Sequence, residues 1–136
     1  MPEQYERWLR LLLRVTGGVM LLALVAVVMP RSWMAGAHEW LGVGAFPDAP
    51  IAEYLARSTS GLYAMLGGLA ILLAADVRTY RRAITYFALA LPALSTLMLL
   101  ACWNSGLPAY WLLTDLFSAA GFGAAVLVLQ RLAGRP

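Results

Sequence analysis

Hydrophobic positions in this chain fall in long runs, and short polar stretches cut those runs into four blocks. Leu11 to Met29 is 19 residues broken only by Arg14, and as a helix it reaches roughly 28 Å, about one hydrocarbon thickness. Ahead of it Glu3, Glu6, Arg7, Arg10 and Arg14 recur at helical spacing, with Glu3/Arg7 and Glu6/Arg10 as i,i+4 pairs. The first span is therefore expected over 9–29, in a helix that starts before the membrane and lets its arginines snorkel to headgroups. Pro30 ends it. The segment 31–48 is too interrupted by Trp, Gly and Pro to cross, but Trp33, Met34, Ala37, Trp40 and Leu41 recur at i, i+3, i+4 spacing. That spacing predicts a short amphipathic helix lying in the interface.

Asp48 as N-cap and Pro50 in the first turn open a second span, 51–76. Val77 to Arg82 is a polar turn, 83–103 a third span that Pro92 should kink, and 109–132 a fourth. Turns this short make consecutive spans antiparallel neighbours. The expected fold is an all-α, integral membrane four-helix bundle of up-down topology, forming one domain over 1–136.

Composition sharpens this picture. Of 136 residues, 62% are hydrophobic and 12% charged, with mean hydropathy +0.73; a soluble domain carries about a quarter charged residues. A soluble globular enzyme and a disordered tail are both excluded, the latter because disorder needs low hydrophobicity. All ten basic residues are Arg and the net charge is +3. These arginines sit at the edges of apolar runs and form no water-facing basic surface, so nucleic acid is not an expected partner. Their distribution reads as topology. With both termini cytoplasmic, Arg7, Arg10, Arg14, Arg78, Arg81, Arg82, Arg131 and Arg135 lie inside and only Arg31 and Arg57 outside. Trp33, Trp40, Trp103 and Trp111 then mark the outer interface. A cleaved leader ending at Ala35-Gly36-Ala37 is disfavoured by two acidic residues in its head and by Arg31 and Trp33 before the cut.

Charged groups inside spans are costly and are the first suspects for function. Only Arg57 and Asp115 qualify. Helical rise from Arg78 places Arg57 roughly 31 Å away, and rise from Arg131 places Asp115 roughly 24 Å away, at similar depth on the same side. The two are expected to pair, tying the second span to the fourth, with Glu53 as a second acceptor. Such a pair serves either as a clasp for the bundle or as part of a ligand site, and Arg57 snorkelling to headgroups is a further alternative. Arg57, Gly61, Ala64, Gly68, Ile71 and Ala75 form a mostly small stripe suited to close helix packing, matched by Ala119/Gly123 and Ala120/Ala124. The outer mouth gathers His38, Glu39, Tyr63, Asn104 and Trp111, which could line a cavity for a small lipophile. His38 beside Glu39 is either an acid/base pair or an exposed pair on an interfacial helix.

Several chemistries lack their residues. One cysteine, Cys102, makes no internal disulfide, and one His and one Cys build no conventional zinc site. No His lies within a span to ligate haem, and no phosphate loop, nucleophile elbow or HExxH motif occurs. No metal or other cofactor is expected, and no catalytic residue is assigned. A minimal dimeric transporter of the small multidrug type is disfavoured because the first span holds no carboxylate.

From Arg57 onward the chain resembles DoxX-like small bacterial membrane proteins with four helices. The resemblance rests on Arg57-Ser58-x-x-Gly61-x-Tyr63-x-x-x-Gly67-Gly68, on Ala75-Asp76 leading into an Arg-rich turn, and on Gly106-x-Pro108 opening the helix that holds Asp115, over residues 57–132. It implies a fold more than an activity, since most of that group has no assigned reaction. The expectation is a small non-catalytic protein of the bacterial inner membrane. It would be an accessory subunit or a homo-oligomer, with the lipid bilayer and a larger membrane complex as partners. The alternative is a binder or converter of a quinone or sterol-like lipid in an outward-facing cavity.

Overall fold

The computed structural model describes residues 2–134, and among these every regular element is helical. Arg135, counted above with the inner arginines, lies outside the described residues. The helices are α1 Pro2–Leu21, α2 Leu24–Val28, α3 Arg31–Trp40, α4 Pro50–Leu73, α5 Arg81–Cys102 and α6 Ala109–Ala133. Between α1 and α2 the amides of Leu22 and Ala23 donate to Val19 and Met20, i to i−3 bonds that tighten the path without ending it. Met29 is extended (φ −66°, ψ 149°) because it precedes Pro30, and there α2 stops. Helix α3 ends at Gly42, whose φ of 68° suits a residue without a side chain, and the amide of Gly42 returns to the Glu39 carbonyl.

Three stretches are long and apolar enough to cross a membrane: Glu3–Val28, Arg81–Cys102 and Ala109–Ala133. Only 11%, 22% and 17% of their apolar windows is buried within the chain. Most of their aliphatic surface therefore faces outward, which water penalises and hydrocarbon accepts. These are the properties of a helical membrane protein. The expected second span is different. Helix α4 has 24 residues, long enough to cross, but Glu53, Arg57 and the run Ser58-Thr59-Ser60-Gly61 dilute its apolarity and it is not among the three. It also ends at Leu73, short of the expected Asp76.

The chain divides into two compact units. One comprises the residues up to Leu13 together with those from Leu72 onward, and the other runs Arg14–Ile71. Helices α1 and α4 contribute to both.

In the first unit, Leu9 and Leu13 from α1, Leu73 from α4, Ile84 and Ala88 from α5 and Val126 from α6 form one buried core. Ala74 and Val77, from the α4–α5 turn, complete it. The turn read as polar thus contains an apolar plug. Helices α5 and α6 pack at a site set by Pro92. Proline has no N–H, so the Ala88 carbonyl four residues earlier loses its helical donor. Gly123 of α6 lies against that oxygen so closely that a Cβ there would collide with it and meet Pro92 Cγ at 3.4 Å. Towards the other end of this helix pair, buried Gln130 donates from Nε2 to the Arg81 carbonyl (3.1 Å) and accepts the Thr85 hydroxyl (2.9 Å).

In the second unit, α1 and α4 cross at Gly17 and Gly67. A Cβ on either glycine would fall 2.6 Å from the other's carbonyl oxygen, so the backbones touch directly. The buried face of α4 here is Ala64, Gly67 and Ala70, while Gly68 has nothing within 4 Å of its Cβ position. The expected stripe thus keeps Ala64, while Gly67 and Ala70 take the buried places expected for Gly68 and Ile71.

Candidate functional site

Arg57 sits two turns into α4, and its guanidinium is held entirely by groups of the second unit. Nε and Nη2 donate to Glu53 Oε1 at 3.1 and 2.7 Å, Nη2 also to the Met29 carbonyl at 3.0 Å, and Nη1 to the Val27 carbonyl. Four donor contacts are thus spent by a group with five N–H bonds. The carbonyls are those the C-terminus of α2 leaves without intrahelical partners, where a cation is also favoured by the helix dipole. Glu53, expected as a second acceptor, is the carboxylate that pairs with Arg57. Asp115 belongs to α6 in the other unit, where it is exposed and its backbone carbonyl accepts the Ser118 hydroxyl at 2.9 Å.

The remaining residues grouped by sequence at the outer mouth divide in the same way. In the second unit His38 stacks edge-on against Phe46, with ring centroids 5.0 Å apart and planes at 88°. The Arg31 guanidinium lies over the same ring at 5.7 Å and donates to Asp48 (2.8 Å) and to the Pro47 carbonyl (2.9 Å). Asp48, expected as the α4 N-cap, thus gives its carboxylate to Arg31, closing the loop after α3. Glu39 and Tyr63 are exposed, and Trp33 and Trp40 project outward while Met34 is buried. Asn104 and Trp111, in the first unit, are exposed. No group of three His, Cys, Asp or Glu among the described residues could hold a metal ion.

A polar cavity lies instead in the first unit. It has a volume of about 480 Å³ and is lined by Glu3, Glu6, Arg7 and Arg10 from α1 and by Ala75, Asp76 and Arg78 from the α4–α5 turn. Residues 3, 6, 7 and 10 share one helix face because their spacing is i, i+3, i+4, i+7. Buried Glu6 is its hub: Oε1 accepts Arg78 Nε at 2.6 Å, while Oε2 lies 3.7 Å from Arg10. The expected i,i+4 pair of Glu6 and Arg10 is therefore the weaker of the two, and the stronger bridge spans 72 positions of sequence. Arg10 Nε is buried without a partner. A second cavity of about 390 Å³, largely apolar, is lined by Gln4, Arg7, Trp8 and Leu11 and shares Arg7 with the first. The sequence signal for this cavity is the charged face of α1 together with the Arg-rich turn.

The chain matches no protein-family model, no curated protein and no solved structure. Its chemistry therefore rests on these two constellations alone.

Electrostatics at the cavity follow from hydrogen bonding. The amides of Thr79 (3.0 Å) and Arg78 (3.1 Å) donate to Asp76 Oδ1 and the Thr79 hydroxyl to Oδ2 (2.8 Å). These bonds, that of the Thr79 amide foremost, hold the Asp76 carboxyl below the usual carboxylate range. The bond to Glu6, followed by its charge, raises Arg78 above its ordinary value. A carboxylate whose folded pKa is depressed stabilises the fold fully above its unfolded value of about 4 and loses that contribution as pH falls through the depressed value. Hydrogen-exchange protection of the Arg78 and Thr79 amides should therefore hold from neutral pH to about pH 4 and decline below it, and Asp76→Asn should show the low-pH behaviour at pH 7. Protection in the variant equal to wild type would contradict this assignment.

Proposed function

We propose that this protein is a small multi-pass protein of the bacterial inner membrane, a DoxX-like four-helix bundle with both termini cytoplasmic. Its role is non-catalytic, as an accessory or oligomeric subunit presenting a polar and aromatic outer patch. The observation that supports it best is the engagement of Arg57. The charged side chain most suspect for chemistry is tied to Glu53 and to the two carbonyls that end α2. A guanidinium so engaged fixes helix ends and has little capacity left for a substrate. Helix α4, long enough to cross but not among the three most clearly apolar stretches, enters the bilayer with its charge neutralised in this way.

Fusions test orientation. A fluorescent protein fused after the last residue should fluoresce and alkaline phosphatase there should be inactive, while phosphatase inserted in the 42–48 loop should be active. The inverse pattern would overturn the topology. Native mass spectrometry tests the role. A quinone or sterol-like lipid that co-purifies with the wild type and is lost on Arg57→Gln would replace the subunit reading with the lipophile binder.

A further inference from the structure

The polar cavity of the first unit is not explained by a structural role alone. Its formal charges cancel, with Arg7, Arg10 and Arg78 against Glu3, Glu6 and Asp76. Its hydrogen-bonding capacity does not. Glu6 is committed to Arg78 and Arg10, and both Asp76 oxygens are taken by the turn 76–79. What remains is a set of donors and one acceptor. Arg7 has no partner among the described residues, the terminal nitrogens of Arg78 are uncommitted, and Arg10 Nε is buried and unsatisfied. Such an orphaned donor in a native fold calls for an acceptor. Among the described residues the one lining carboxylate without a hydrogen-bond or ion-pair partner is Glu3, which is exposed.

A ligand matching this inventory carries a multi-oxygen anion for the three arginines and a cationic donor for Glu3. A zwitterion does so without adding net charge, whereas a simple anion leaves one uncompensated. Arginine suits phosphate because its planar fork of donors matches two oxygens at once. The adjoining apolar cavity fixes the source. Trp8 and Leu11 continue outward from Arg7, so that a molecule with its phosphate on Arg7 finds an aliphatic surface next to it. Volumes of about 480 and 390 Å³ lie in the range usual for ligand sites, about 300–1,000 Å³.

We propose that the cavity is a headgroup site for a zwitterionic aminophospholipid. The phosphate is held by Arg7, Arg10 and Arg78, the primary ammonium by Glu3, and an acyl chain lies along Trp8 and Leu11. The assignment rests on the membrane reading above, which places this end of α1 at the cytoplasmic leaflet. It adds a lipid selectivity that topology alone does not require, since positive-inside arginines bind anionic headgroups without discriminating an amine.

The test is native mass spectrometry of the full chain in detergent, titrated with short-chain phosphatidylethanolamine, phosphatidylcholine and phosphatidylglycerol and with soluble phosphoethanolamine. Ethanolamine lipid should bind at least about tenfold tighter than choline or glycerol lipid, a difference of about 1.4 kcal/mol. Glu3→Gln should erase the preference over choline lipid while retaining phosphate-dependent binding. Arg7→Gln should weaken all three lipids. Both side chains are exposed, so the fold should survive, and unchanged melting of each variant checks that. Equal affinity for the three lipids, or a preference indifferent to Glu3→Gln, overturns the proposal. Phosphoethanolamine binding as tightly as the lipid would reassign the site to a soluble solute. Extraction of the chain from membranes by alkaline carbonate would overturn the membrane reading itself, a result independent of lipid selectivity.

Discussion

Gly123→Leu should lower the melting temperature of the detergent-solubilised protein by on the order of 10 °C, the largest effect expected of any single substitution. The reason is local. The first atom of any side chain at this position collides with the Ala88 carbonyl oxygen, and the second obstacle is the Pro92 ring at 3.4 Å. Neither can move cheaply, because one is backbone and the other is a fixed ring in mid-helix. Overpacking typically costs about 1–3 kcal/mol where side chains can adjust, and a backbone clash takes the upper end or more. Gly121→Leu is the control. It lies two residues away on the same helix with nothing within 4 Å of its Cβ position, so its melting shift should stay within about 2 °C, the scale of an ordinary surface substitution. Equal losses at the two sites would show that helix propensity, and not the contact with Ala88, governs the outcome.

Arg57→Gln should be the next most damaging. It removes the ion pair with Glu53 and frees the Val27 and Met29 carbonyls at the end of α2. Breaking a fully buried pair costs about 3–5 kcal/mol. The side chains of Arg57 and Glu53 are 29% and 31% exposed, which lowers the expectation to about 2–3 kcal/mol. Glu53→Gln should cost about 1 kcal/mol, because Arg57 keeps both carbonyls. A double-mutant cycle of thermal melts separates the two contributions. Should Glu53→Gln prove as damaging as Arg57→Gln, the carbonyl contacts contribute nothing and the account of Arg57 as a terminator of α2 fails.

The parts of the fold that depend on local chemistry were legible in the sequence. Pro30 and Pro108 punctuate the chain where α2 stops and α6 starts, and the apolar runs over α1–α2, α5 and α6 are long enough to announce themselves. Contacts between distant segments were not. Gly67 and Gly68 are adjacent, and a helix turns about 100° per residue, so a run of small residues does not say which one meets Gly17. The end of α4 was misplaced because Ala74 and Ala75 continue its apolar pattern while Asp76 folds back on Thr79. At the sites the difficulty was the same. A carboxylate four residues before Arg57 is visible, but carbonyl acceptors carry no residue signature and appear only when α2 is brought beside α4. Glu6 looked like one half of a surface pair along α1. Its main partner, Arg78, could be found only by folding the chain.

The notch at Gly123 also restricts how α5 and α6 can move. Sliding one helix along the other by a turn would bring Ala119, Ala120 or Leu127 opposite the Ala88 oxygen, and each of these carries a Cβ. Piston-like displacement within the hairpin is therefore blocked at the first step. Any mechanical signal must pass through the two helices as a single lever, tilting or rotating as one body.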